Sequence, residues 1–136
     1  GMVDGYVVLD GKRYSILEIK TSGGREKWLD ADGNVTVVPL SYMLQASLYA
    51  ELSRLDRIVF VVGFLEEDDY RWPTRWKPTP ENTSIIVKDK LDMKEYMAKA
   101  EEWYKEYILQ GFTPEWTEKD AELLKYLRVN PVKKKK

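Results

Sequence analysis

The sequence predicts an α/β (α+β) fold, a mixed central β-sheet flanked by helices. Three observations carry that reading. Two β-rich runs, Val3 to Leu9 and Arg13 to Thr21, lie on either side of the turn signal Asp10-Gly11-Lys12. The run Ile58-Val59-Phe60-Val61-Val62 is apolar at successive positions, the mark of a strand buried on both faces. Helical spacing of apolar residues follows Pro39 and recurs from Leu91 to Gln110, so helices and strands alternate along the chain. At 136 residues there is room for about one domain. A single domain over 1–130 and a disordered basic tail over 131–136 are expected.

The elements follow in order. The first two runs read as a β-hairpin. A three-residue loop at Asp10-Gly11-Lys12 sets Leu9 against Arg13 and, counting back, Asp4 against Glu18; a two-residue loop puts Asp4 out of register. Thr21 to Pro39 is polar, with a second, smaller hairpin expected between Trp28-Leu29 and Val35 to Val38. Its tip, Asp30-Ala31-Asp32-Gly33-Asn34, has the acidic spacing of a calcium loop. Val35 stands where that loop needs Gly and Ser41 where it needs Glu, so a hairpin tip is the better reading.

Pro39 and Ser41 open a helix, with Ser41 as its N-cap and Leu44, Leu48 and Leu52 facing the core. Arg57 to Leu65 is the central strand. Glu66 to Asn82 is a long loop whose Trp72 and Trp76 pack on the core or stack on unpaired bases. Thr83 to Lys88 is a short strand. Leu91 to Gln110 is a helix burying Met93, Tyr96, Met97, Ala100, Trp103, Tyr104, Tyr107 and Ile108, stopped by Gly111. Glu118 to Leu127 forms a last short helix.

Composition narrows the chemistry. Lys and Arg total 22 against 23 Asp and Glu, a net charge of −1, so bulk positive charge cannot hold nucleic acid and any such contact is local. The absence of Cys excludes disulfides, thiolate catalysis and Cys-ligated zinc. The absence of His removes the commonest general base and imidazole metal ligands. A metal site must then use oxygen ligands, which favours Mg²⁺, Mn²⁺ or Ca²⁺. The apolar runs are too short to span a bilayer and the first residues have no signal-peptide pattern, so a cytoplasmic protein without a membrane partner is expected.

One constellation stands out. The two-residue period of a strand puts Glu18 and Lys20 on one face and Leu17 and Ile19 on the other. With Asp4 opposite Glu18, two carboxylates stand on side chains whose Cβ atoms are about 4.5–5.5 Å apart. They repel unless a cation sits between them, and Mg²⁺ suits two carboxylates plus water and phosphate oxygens. Lys20 would orient or deprotonate an attacking water, or stabilise charge on a phosphorane-like transition state.

Val3-Asp4-Gly5, a turn-containing spacer of about a dozen residues, and Glu18-Ile19-Lys20 together resemble the motif of the PD-(D/E)XK nuclease superfamily, with Val3 where Pro is frequent. Pro39-x-x-Tyr42-x-x-Gln45-x-x-x-Tyr49 resembles the helix after that motif in phage alkaline exonucleases of the lambda-exonuclease type and in RecB-type recombination nucleases. Gln45 and Tyr49, four apart, share a helix face. The resemblance covers residues 3–65.

The resemblance implies a restriction-endonuclease-like core and metal-dependent hydrolysis of phosphodiester bonds. Asp4, Glu18 and the backbone carbonyl of Ile19 would hold Mg²⁺, with Mn²⁺ as a substitute. Lys20 would act on the nucleophilic water, Gln45 would orient Lys20 or the substrate backbone, and Tyr42 and Tyr49 would contact substrate. The implied protein is a DNA nuclease, an exonuclease of phage or prophage recombination or repair. Its partners would be DNA and either a second copy or a single-strand annealing or recombination protein. The alternative is a catalytically incomplete module that only binds nucleic acid or such a partner. Relatives carry helices before the Asp, so truncation at the N-terminus is expected, with an uncovered apolar sheet face that favours dimerisation.

Overall fold

Asp10 and Gly11 both adopt left-handed backbone angles, φ 49° and 75°, in a computed structural model that describes residues 2–129. Two such residues in succession make the tight turn whose twist matches the strands it joins. Those strands are β1 (Gly5–Leu9) and β2 (Lys12–Ser22), antiparallel, with Leu9 opposite Lys12. The loop is therefore two residues long, not the three expected. Asp4 still comes into line with Glu18, because β2 carries a bulge: Val8 pairs with Arg13 but Val7 with Ser15, leaving Tyr14 unpaired. The residue lost from the turn is regained in the strand, and Gly5 ends opposite Leu17.

The helix α1 (Leu40–Leu52) crosses from β2 to β3 (Arg57–Phe64), which pairs parallel to β2 with Glu18 beside Phe60 and Lys20 beside Val62. β4 (Thr83–Asp89) pairs antiparallel to β3 and closes a four-stranded mixed sheet in the order β1-β2-β3-β4. Arg57 to Phe64 is central, as its apolar run predicts. The expected mixed sheet with helices is thus the architecture found. One face carries Ile16, Ile58, Phe60, Val62, Phe64 and Ile86 into a core shared with Trp28, Val38 and α1. The opposite face exposes Ile19, Ile85 and Val87.

Several details correct the sequence reading. α1 begins one residue before Ser41, with Pro39 at its N-cap and no side-chain cap. Its buried stripe is Met43, Ala46, Ser47 and Ala50, while Leu44 and Leu48 lie at the flanks and Leu52 is 69% exposed. Small residues bring a helix axis close to a sheet, and the leucines then fall outside the contact. The second hairpin is reduced to a bridge between Leu29 and Val35. The loop after β3 holds a short helix, α2 (Glu67–Arg71), and a 3₁₀ turn, Pro73–Arg75. Trp76 lies against Gly63 and its Nε1 donates to the Phe64 carbonyl at 3.4 Å. A β-carbon on Gly63 would sit 3.0 Å from that ring, so the indole uses the space glycine leaves.

By its backbone contacts the chain divides into two compact units, one running through Lys94 and another starting at Glu95. The second unit holds all but the first residue of α3 (Lys94–Trp103), a π-type turn (Tyr104–Ile108) and α4 (Ala121–Val129). α3 starts three residues later than expected. Its aromatic face is not buried: Tyr96, Met97, Trp103, Tyr104 and Ile108 are exposed, Tyr107 is half-buried, and of the expected set only Met93, ahead of the helix, is in the core. Helical spacing shows which residues share a face, not whether anything covers it. Gly111, φ 70°, ends this stretch as expected. The tail 131–136 lies outside the described residues. Among the described residues no helix is long and apolar enough to cross a membrane.

Candidate active site

β2 delivers Glu18 and Lys20 to the face covered by α1, at the end of the core, with Ile16 before them on the same face. Glu18 is 2% exposed. Its Oε2 accepts a hydrogen bond from Lys20 Nζ at 2.8 Å, while Oε1 has no hydrogen-bond partner among the described residues. A buried carboxylate oxygen without a donor or cation is costly, so this half of Glu18 is an acceptor held ready.

α1 lies above, and its rotation aims Gln45 at the strand. Lys20 Nζ also donates to Gln45 Oε1 at 3.3 Å, and Gln45 Nε2 donates to Tyr49 Oη at 3.3 Å. An ammonium has three hydrogens, so Glu18 and Gln45 leave one available. The Tyr42 ring sits beside it, with Lys20 Nζ 5.1 Å from the ring centroid. Tyr42 is itself fixed by stacking on Trp28, centroids 5.7 Å apart and planes inclined 21°. Trp28 is completely buried.

Asp4 approaches from the start of β1. Its Oδ2 accepts a hydrogen bond from the Ile19 backbone N–H at 2.8 Å. The N–H and C=O of one strand residue point to the same side, so the Ile19 carbonyl is directed toward the edge where Asp4 stands. Direct contacts thus link Glu18, Lys20, Gln45, Tyr42 and Tyr49, and Asp4 joins the same strand through the Ile19 N–H. Sequence reasoning missed Trp28, whose only signal was to be the single Trp in the polar stretch from Thr21 to Pro39.

The donor set fits a hard divalent cation: two carboxylates and a carbonyl, with one carboxylate oxygen unpartnered and buried. No three acidic side chains gather into a metal cluster among the described residues. Mg²⁺ is usually held by one or two carboxylates and keeps several waters, so two suffice.

Asp30, the other acidic position singled out, is placed elsewhere and is fully engaged by its own loop. Its Oδ1 accepts from the backbone N–H groups of Asp32 at 3.0 Å and Asn34 at 2.9 Å, and Oδ2 accepts from Thr36 Oγ1 at 2.6 Å. Those bonds, the Thr36 hydroxyl first, hold its carboxyl below the ordinary value of 3.8.

Comparison with known proteins finds two relatives and no matching family. The chain is 31% identical over 122 residues to the uncharacterized protein MG373 of Mycoplasma genitalium, covering 88% of this chain and 42% of that protein. It is 30% identical over 92 residues to the MG373 homolog of Mycoplasma pneumoniae, covering 65% of this chain and 32% of that one. The chain therefore spans less than half the length of these curated relatives. No family model matches, and no solved structure does.

Proposed function

We propose that this chain is a Mg²⁺-dependent nuclease of the PD-(D/E)XK type, hydrolysing phosphodiester bonds of DNA, as an exonuclease in phage- or prophage-type recombination or repair. The observation that carries the reading is Glu18: a carboxylate 2% exposed, one oxygen bound by Lys20 and the other left without a donor. A buried carboxylate oxygen with no donor has acceptor capacity that a cation can take up. Asp4, Glu18 and the Ile19 carbonyl would hold the metal, with Mn²⁺ as a substitute. Bound there, Mg²⁺ would supply Lewis-acid polarisation of a phosphate oxygen and neutralise its charge.

The remaining work falls to the chain's own residues. Glu18 and Gln45 fix Lys20 Nζ from two sides and leave its third hydrogen for a water or a phosphate oxygen. Lys20 thereby orients the attacking water or places positive charge where negative charge develops. Tyr49 holds Gln45 in the orientation that serves Lys20. Tyr42 and Tyr49 border the path of the substrate backbone.

A second reading is a catalytically incomplete module that binds nucleic acid without cutting it. It is favoured by the acidic count, since Asp4 and Glu18 are joined by no third carboxylate among the described residues. The test is cleavage of an end-labelled linear duplex by the full chain in Mg²⁺ or Mn²⁺, alongside calorimetric titration of Mn²⁺. Metal-dependent cleavage abolished by EDTA is expected, with Mn²⁺ binding lost in Glu18→Gln. Binding of DNA and Mn²⁺ without cleavage would select the second reading. No Mn²⁺ binding at millimolar concentration would overturn the metal site.

A further inference from the structure

Beside the site lies a cation that the proposed chemistry has not used. Lys27 sits in a short 3₁₀ turn, Glu26–Trp28, directly before the buried Trp28. The backbone of that turn is firmly tied. Trp28 N–H donates to the Arg25 carbonyl at 2.8 Å, and the Trp28 carbonyl accepts from Thr36 and Val37 N–H at 3.1 and 3.0 Å. From this base the Lys27 side chain runs back over the stacked pair: its Nζ is 5.6 Å from the Tyr42 centroid and 5.8 Å from the Trp28 ring. The same Tyr42 ring has Lys20 Nζ 5.1 Å from its centroid. Two ammonium groups therefore share one aromatic ring at the edge of the site.

Their charges are balanced differently. Lys20 is paired with Glu18 at 2.8 Å. Lys27 has no ion pair among the described residues. Its acidic neighbour is turned away: the Glu26 carboxylate folds back onto Gly24, into the space a β-carbon there would fill. An aromatic platform attracts an ammonium without neutralising it, so Lys27 keeps its full charge for an incoming anion.

We propose that Lys27 binds a backbone phosphate of the DNA strand, donating from Nζ to a non-bridging oxygen of a phosphate next to the one attacked at Lys20. This rests on the nuclease reading of Asp4, Glu18 and Lys20 and adds a substrate contact to it. Lys27 sets the strand's position and carries no sequence information, because a phosphate oxygen is the same at every nucleotide.

The test is binding of a fluorescein-labelled DNA duplex to the full chain in Ca²⁺, by anisotropy, across a series of salt concentrations. A phosphate contact releases counterions, so its loss lowers the slope of log K against log salt by about one and weakens binding evenly across sequences. Lys27→Ala and Lys27→Gln should both show this, and Lys27→Arg should restore the slope. Lys27→Gln keeps most of the stem over Tyr42 and Trp28, so a slope change there cannot come from lost packing. Wild-type binding with the slope unmoved in both variants would overturn the role of Lys27 and leave the nuclease reading standing. Wild-type protein that bound no DNA at any salt concentration would overturn both.

Discussion

Two carboxylates in the first unit, Glu18 and Asp30, each lie in a short acidic motif and end in opposite states. Asp30 lies in a motif that looks like a cation loop, yet its own loop saturates it: two backbone N–H groups and the Thr36 hydroxyl take up its oxygens. Glu18 lies in a three-residue motif that recurs by chance, yet it is buried with one oxygen unclaimed. The difference teaches that spare acceptor capacity under burial, and not the number of nearby acidic residues, distinguishes a carboxylate available to a ligand from one that closes a turn. Local bonds of the Asx type are reached within a few residues and lower the energy of the loop itself. Spare capacity in a buried group costs stability and persists when something else offsets it.

Cleavage should separate the two carboxylates most sharply. Lys20→Ala should lower turnover about 10²–10³-fold, the usual loss for one electrostatic contact to the transition state, and added Mn²⁺ should not restore it. Asp4→Asn and Glu18→Gln should also lose activity, with partial rescue at high Mn²⁺, because carboxylate charge holds hard cations. Asp30→Asn should cleave at the wild-type rate. Equal losses in Glu18→Gln and Asp30→Asn would erase the distinction.

Stability gives the next largest effect. Lys20→Ala strands the Glu18 charge, at a cost of roughly 3 kcal/mol in EDTA, toward the lower end for a broken buried pair because the Lys20 side chain is 16% exposed. The double variant Glu18→Gln with Lys20→Met should recover most of that in urea unfolding. Mn²⁺ should raise the stability of the Lys20→Ala protein as the cation replaces the lost ammonium. A Lys20→Ala protein as stable as wild type would show Glu18 to be less isolated than its burial implies.

The rotation of α1, which aims Gln45, is tested by its small buried residues. Ala50→Leu should cost about 1–3 kcal/mol by overpacking against the sheet. It should also weaken the Gln45 contact with Lys20, read as a fall in turnover with metal affinity unchanged.

Asp30 should show a smaller, pH-dependent effect. Its carboxyl is held below 3.8 in the folded chain, chiefly by Thr36. Its contribution is therefore present above that value and is lost as pH falls through the lower folded value. Asp30→Asn should lower Tm slightly at neutral pH and match wild type more closely in strong acid. A gap that widened in acid would reverse the sign and refute the account. Least of all, Leu52→Ala should change stability by no more than about 0.5 kcal/mol, as expected for a residue 69% exposed.

Much of this arrangement was legible in residue order. Strand alternation placed Glu18 and Lys20 together, helical spacing joined Gln45 to Tyr49, and an apolar run marked β3 as central. These are local periodicities, set by backbone geometry that a few consecutive residues impose. The hairpin is instructive because the register that sets Gly5 opposite Leu17 arises from a turn and a bulge, not from a three-residue loop. Asp10 and Gly11 chose the two-residue turn, and only the bulge at Tyr14 brought Asp4 back into line.

The rest depended on which surfaces meet. Leu44, Leu48 and Leu52 are the α1 residues expected in the core, but Met43, Ala46, Ser47 and Ala50 are the buried ones, and the last three are small enough to let the helix approach the sheet closely. The spacing of α3 predicts a buried aromatic face, whereas Tyr96, Trp103, Tyr104 and Ile108 are exposed. Trp28, Lys27 and the unclaimed oxygen of Glu18 follow from packing between segments far apart in sequence. By itself, then, the order of residues determined the sheet, its alternating faces and the set of polar groups at the end of β2. The tertiary structure decided which of them are buried, which remain unsatisfied and which cation stands beside them, because burial and hydrogen-bond satisfaction are properties of what surrounds a residue.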